Sequence, residues 1–327
     1  MAVYTHLGAE DLASLIAHYD VGDLVSAKGI AEGVSNSNWL IETTGKDGAG
    51  ARYILTMYER RIDLSDLPFF LDLMDHLAAK GCPVPSTIHD REGASFRHVD
   101  GKAVALIEYL PGVSVDRPTP AQARSVGKAL AQNHLAVADF GQDRRNDMGL
   151  SGWSHIAGKY GSAALAGIDP ALPGILDEQL SRFESDWPDG LPQGVVHCDL
   201  FPDNVLMLDD EVSGLIDFYF SSTDAFAYDF AVTHAAWCFS GDGREYHNAI
   251  GTALMEGYEA VRPLSDRERG CLPVLARGAC VRFITSRAED WITTPPDALV
   301  TRKDPMDFVR RLRFYDESGP ELFASAP

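Results

Sequence analysis

The 327-residue chain is short of positive charge, sparing with cysteine and free of long apolar runs, and each shortage excludes something. Lys and Arg number 28 against 48 Asp and Glu, a formal net charge of −20. Nucleic acid and anionic membrane surfaces need clustered cations, so neither is expected as a partner. Apolar residues never run on for the roughly 18 positions that a membrane span requires. The opening Met1-Ala2-Val3-Tyr4-Thr5-His6-Leu7-Gly8 meets the acids Glu10 and Asp11 without the basic and apolar regions of a secretion signal. Cys82, Cys198, Cys238, Cys271 and Cys280 are widely spread and form no C-x-x-C pair. That spacing sets zinc aside and fits reduced thiols in the cytoplasm. What is left is an ordinary folding composition, 45% hydrophobic and 23% charged, with small molecules as the expected partners.

The pattern along the chain divides it into two lobes. Leu12, Leu15, Ile16 and Tyr19 recur at helical spacing within residues 9–19. Strand-like runs at 24–31 and 39–43 flank Glu32-Gly33-Val34-Ser35-Asn36-Ser37-Asn38, whose turn formers predict a hairpin. Residues 52–58 supply a third strand, and an apolar stripe over 66–80 predicts a helix that stops at Gly81. Strands at 95–99 and 102–109 are joined by Asp100-Gly101, a tight hairpin turn. Residues 1–109 thus read as a five-stranded antiparallel lobe with one main helix, and 110–327 as a larger, mostly helical lobe. Thr119, Pro120 and Gln122 open its first helix with a capping box. Further helices are expected at 174–187, 225–238, 245–261, 266–289 and 305–315, and short strands at 194–197, 205–208 and 214–216.

The chemistry concentrates in that second lobe. His197-x-Asp199 follows the apolar Gly194-Val195-Val196, Asn204 comes five residues later, and Asp217 follows Leu215-Ile216. Acids at the ends of buried strands are costly unless paired or bound to a cation. Phosphoryl transfer from ATP needs hard oxygen ligands for Mg²⁺ and a carboxylate that orients the acceptor hydroxyl and takes its proton. Asn204 and Asp217 suit the first task and Asp199 the second, while His197 suits a hydrogen-bonded structural role. Each acid alone would read as a cap or turn residue; the order and spacing of all three make the pattern specific.

His197-x-Asp199-x-x-x-x-Asn204 followed by Ile216-Asp217-Phe218 resembles the signature of the aminoglycoside phosphotransferase and choline kinase superfamily, whose fold is protein-kinase-like. The resemblance implies an α+β chain with ATP and Mg²⁺ as cofactors. It implies Asp199 as base, His197 as brace of the loop, and Asn204 and Asp217 as metal ligands. It places ATP phosphates on the hairpin turn, at Gly33, Ser35, Asn36, Ser37 and Asn38, and the adenine edge on the main chain of Glu108 and Leu110 within Glu108-Tyr109-Leu110-Pro111-Gly112. Tyr228-Asp229-Phe230-Ala231 resembles a following motif whose acid supports a helix start. Cys198 stands where many relatives carry Gly. The third strand departs from kinases in general, since Tyr53-Ile54-Leu55-Thr56-Met57-Tyr58 has Thr56 near the place of the usual Lys. Either Arg60 or Arg61 reaches the phosphates, or metal ions and the hairpin loop carry more of the work.

Within the superfamily the chain most resembles bacterial homoserine kinases over nearly its whole length, through Glu32 to Trp39, Leu67-Pro68-Phe69-Phe70, the segments already quoted, and Arg277-Gly278-Ala279 leading into Arg282-Phe283. The absent Lys is shared with that group. The resemblance implies L-homoserine as substrate, a zwitterion that needs an acid, a base and Asp199 near its hydroxyl. Arg282 and Arg287 are the candidates for its carboxylate, with pairing to surface acids as the plain alternative, and Asp203, Asp224 and Asp229 are candidates for its ammonium. Rival readings are the same chemistry on an aminoglycoside, choline or sugar-like alcohol, and a noncatalytic nucleotide-binding or partner-binding module.

Overall fold

The computed structural model describes residues 7–30, 36–59, 63–295 and 302–324. It divides into two compact units, Met1–Gly112 with Ser213–Tyr219, and Val113–Val212 with Phe220–Pro327.

In the first unit the elements run α1 (Ala9–Ile16), β1 (Leu24–Ile30), β2 (Asn36–Thr43), β3 (Ala51–Tyr58), α2 (Leu67–Ala79), β4 (Thr87–Ile88), β5 (Arg97–Val99) and β6 (Lys102–Glu108). All strands pair antiparallel in one sheet ordered β1-β2-β3-β6-β4, with β5 on β6. Alternation decides which face is buried. Trp39 and Ile41 on β2, Leu55 and Met57 on β3, and Val104 and Leu106 on β6 join Leu12, Leu15 and Ile16 of α1 in one apolar cluster. The Asp100-Gly101 turn forms as expected, with positive φ at both residues, 51° and 79°, as a tight hairpin requires. Two expectations change. The sheet has a sixth strand, β4, too short at two residues to show a periodicity. Asn36, Ser37 and Asn38, expected in the turn, belong to β2 and pair with Tyr58, Met57 and Thr56. Gly33 and Ser35 lie outside the described residues, as do Arg60 and Arg61.

The 213–219 segment, assigned to the helical lobe by sequence, returns to this first unit. Leu215 donates its N–H to the Pro83 carbonyl at 2.7 Å. Tyr219 meets Phe70 edge-on and shares a 2.8 Å hydrogen bond with the Tyr58 hydroxyl.

The second unit is mostly helical: α3 (Pro120–Ala136), α4 (Leu150–Ala166), α5 (Leu172–Asp186), α6 (Phe226–Trp237), α7 (Asn248–Glu259), α8 (Asp266–Thr293) and α9 (Met306–Leu322). Between α5 and α6 lie β7 (Gln193–Val196), β8 (Val205–Leu208), β9 (Glu211–Leu215) and β10 (Ser222–Ala225). β7 pairs antiparallel with β10, and β8 with β9. The capping box at α3 forms as expected, with Thr119 Oγ1 accepting from Gln122 N–H and the Gln122 side chain accepting from Thr119 N–H. Helix α4 was not anticipated, because Gly152, Gly158 and Gly161 dilute its pattern and Gly161 breaks it with φ 69°. Helices α3 and α7 approach closely enough that a Cβ on Gly127 would lie 2.1 Å from the Leu254 carbonyl oxygen, so the pair excludes any larger residue there.

Buried histidines make this unit sensitive to acid. His234 on α6 takes a 2.6 Å hydrogen bond with the Tyr315 hydroxyl, and burial pushes its pKa down to about 3. Above pH 6.5 the ring is neutral folded and unfolded. Below it the unfolded chain gains a proton that the folded chain refuses, so stability falls with pH until about 3. Between pH 7 and pH 5 this one group costs about 2 kcal/mol. Urea titrations at both pH values should show His234→Gln losing that much less than the unsubstituted protein; equal losses would contradict the assignment.

Among the described residues no helix is long and apolar enough to cross a membrane, and all five cysteines are free.

Candidate active site

Strand β7 delivers the chain to His197 with Val195 and Val196 buried behind it. The next residue, Cys198, has φ 60°, unusual without glycine. Asp229 on α6 explains how that turn is held: its carboxylate accepts from His197 N–H at 2.9 Å and from Cys198 N–H at 2.7 Å. The motif acid at 229 therefore braces the His197–Cys198 turn itself. It is fully buried and also takes the ring N–H of His134 at Nε2, 2.9 Å away. The His134 Nδ1 faces the Tyr258 hydroxyl at 2.8 Å, and that hydroxyl accepts from Arg262 at 3.1 Å. Arg262 pairs with Glu268 at 2.7 Å, and Glu268 completes the capping box of α8 with Ser265. Burial lowers the pKa of His134, which stays neutral. Burial alone would raise that of Asp229, but the hydrogen bonds from the His134 ring and the His197 N–H hold it below the ordinary carboxylate range. The sequence marks Asp229 only by its motif, and His134 carries no local signal, since its partners Asp229 and Tyr258 lie 95 and 124 positions away.

Past the turn, His197 Nδ1 accepts from Asp199 N–H at 3.2 Å, which ties the loop to its own first residue. Trp237 Nε1 donates to the Leu200 carbonyl at 2.9 Å, and Phe201 meets Phe283 edge-on at 4.8 Å. Asn204 turns its amide NH₂ back onto Asp199, 2.8 Å from the main-chain oxygen and 3.3 Å from Oδ2. Its amide oxygen is thereby directed away from Asp199. Burial raises the Asp199 carboxyl, opposed by the charges of Arg282 and His197. The Cys198 thiol, also buried, is pushed well above its usual value and is inert as a nucleophile. Arg282 on α8 reaches this loop, donating to the Cys198 carbonyl and standing 3.6 Å from Asp199. Arg287 does not: its guanidinium is held by the Asp304 carbonyl and the Asp307 carboxylate, each at 3.0 Å. Asp203 is exposed and 3.7 Å from Lys303, and Asp224 takes the Asn146 amide at 2.6 Å.

The first unit holds the remaining candidates. Thr56 donates to Asn38 Oδ1 at 2.8 Å across β2 and β3. Ser37 donates to Glu59 at 2.7 Å, and Glu59 pairs with Lys102, a lysine that no motif singled out. The Glu108 side chain accepts from Ser86 N–H at 3.1 Å and its hydroxyl at 3.0 Å, which fixes the end of β6 just before Leu110. Asp217 sits after β9 at φ 66°.

The family model described as the phosphotransferase enzyme family matches residues 26–264, a span that holds His197, Asp199, Asn204, Asp217 and Asp229 but not α8 with Arg282 and Arg287. The chain belongs to this family. Its curated relatives include proteins named homoserine kinase from Xanthobacter autotrophicus, 48% identical over 96% of each chain, and from Acidiphilium cryptum, 48% identical over 98% of each. Among solved structures, a spectinomycin phosphotransferase in complex with ADP and spectinomycin superposes with a TM-score of 0.71, covering 97% of this chain and 100% of its own at 14% identity. The phosphotransferase fold, an antiparallel-sheet unit and a helical unit of protein-kinase-like type, is the one expected from the sequence.

Proposed function

We propose that this phosphotransferase is a homoserine kinase, moving the γ-phosphoryl group of ATP to the hydroxyl of L-homoserine to give O-phospho-L-homoserine and ADP, a step in threonine biosynthesis. The carrying observation is the 48% identity, over nearly all of both chains, to proteins of that name. Asp199 orients the attacking hydroxyl and accepts its proton, with its backbone fixed by His197 and its carboxylate flanked by Asn204 and Arg282. Catalysis of this kind is positioning and electrostatics. The adenine edge goes to the main chain of Glu108 and Leu110, and the phosphates to Gly33, Ser35, Asn36, Ser37 and Asn38 with Thr56.

Magnesium belongs with Asn204 and Asp217. Their donors are the hard oxygens Mg²⁺ takes, and two protein ligands suffice when ATP phosphates and water complete the shell. Among the described residues no group of three His, Cys, Asp or Glu could hold a metal without such help. When bound, Mg²⁺ offsets negative charge on the transferring phosphoryl group. The substrate ammonium is assigned to Asp203, on the same loop as Asp199 and exposed.

An ADP-release screen against homoserine, choline, aminoglycosides and small sugars tests the substrate. We expect saturable homoserine-dependent ADP release, with phosphohomoserine detected by mass. Release with another alcohol but none with homoserine would reject the substrate and keep the kinase.

A further inference from the structure

Arg282 is 2% exposed, in the middle of α8, on a chain whose other arginines mostly reach solvent. A buried guanidinium is stable only where it finds oxygen or aromatic partners. Here Nη1 donates to the Cys198 carbonyl and Nη2 stands 3.6 Å from Asp199 Oδ1. The planar group lies 4.6 Å from the Phe283 ring centre and 5.4 Å from that of Phe220. Nη1 and Nη2 are therefore directed at the loop, two rings lie close to the guanidinium, and Nε has no hydrogen-bond partner among the described residues.

The peptide it holds is the unusual one. A non-glycine residue in the left-handed region is strained, and such a conformation persists only when its surroundings impose it. Cys198 is gripped at both ends: Asp229 on α6 takes its N–H at 2.7 Å, and Arg282 on α8 takes its carbonyl. The next side chain along is Asp199.

We infer that Arg282 is a positioning residue, which locks the Cys198–Asp199 peptide in its left-handed turn and aims the Asp199 carboxylate, and that it does not bind the carboxylate of the substrate. The inference rests on the kinase reading given above. The fork geometry is essential to it, because one guanidinium spans a carbonyl and a carboxylate whereas a lysine ammonium on a shorter reach serves one of them.

The test compares Arg282→Lys and Arg282→Gln with the unsubstituted enzyme on homoserine and on 3-aminopropan-1-ol, which is homoserine without its carboxylate. Misaiming a catalytic group costs about 100-fold. We expect kcat to fall by about that factor on both alcohols, KM for homoserine to stay within about threefold, and the preference for homoserine over the amino alcohol to be unchanged. Amide hydrogen exchange over residues 197–200 should quicken in both variants. A rise in KM for homoserine with kcat preserved, and a collapsed preference, would make Arg282 the carboxylate ligand and overturn the inference. Unchanged kcat and unchanged exchange would overturn it equally. If the unsubstituted enzyme ignored homoserine, the substrate reading would fall instead, and the exchange comparison, which needs no substrate, would still decide what Arg282 does.

Discussion

Replacing Asp199 by Asn is expected to lower homoserine-dependent turnover by about 10³-fold while leaving ATP affinity within a few-fold. The magnitude is that of removing a positioned general base together with its orienting role. Asn keeps the shape, and its one amide oxygen can still accept from Asn204, which donates to Oδ2 now, while the Arg282 ion pair at Oδ1 is lost. The loop backbone is fixed by Asp229 and His197, so the substitution should leave it in place. The readouts are ADP release for turnover and nucleotide titration for binding. Turnover near that of the unsubstituted protein would remove Asp199 from the chemistry.

Asp229→Ala should destabilise the protein by about 4 kcal/mol. Three donors lose their acceptor together, the N–H groups of His197 and Cys198 and the ring of His134, and each orphaned buried group costs about 1–3 kcal/mol. A urea titration would show a lower midpoint at unchanged slope. Asp229→Asn, which keeps one acceptor oxygen, should fall between. A loss under about 1 kcal/mol would mean that the network is not what holds the loop. Because the folded state keeps Asp229 ionised to unusually low pH, its contribution is present above the ordinary aspartate range and fades as pH drops through the depressed folded value.

These two residues mark the reach of the sequence. The setting of Asp199 is legible because it is built by near neighbours: His197 two residues before it, Asn204 five after, and an apolar strand in front. Asp229 is legible as a motif acid, but what it grips lies more than 30 positions away, and no local pattern encodes that. The same division runs through the fold. Strand β3 announces itself by its β-rich residues, and the Asp100-Gly101 hairpin and the α3 capping box by turn and cap chemistry. Strands β4 and β10 exist because a partner elsewhere is waiting for them, at β6 and β7. Helix α4 carries glycines that weaken its local preference and is kept by buried Trp153, Ile156 and Leu165. Among the arginines, Arg282 and Arg287 look alike in sequence, five residues apart on one helix. Only tertiary structure separates the one on the catalytic loop from the one paired with Asp307.

The assignment of Ser213–Tyr219 to the first unit bears on how the chain is made. A ribosome delivers residues in order, and domains generally fold as they emerge. Here the first 112 residues leave the exit tunnel without the strand end that docks on Pro83, without Tyr219 to cap Tyr58 and Phe70, and without Asp217. The first unit must wait for about a hundred further residues before its last piece arrives. A fragment cut after Gly112 would therefore be an unfinished unit.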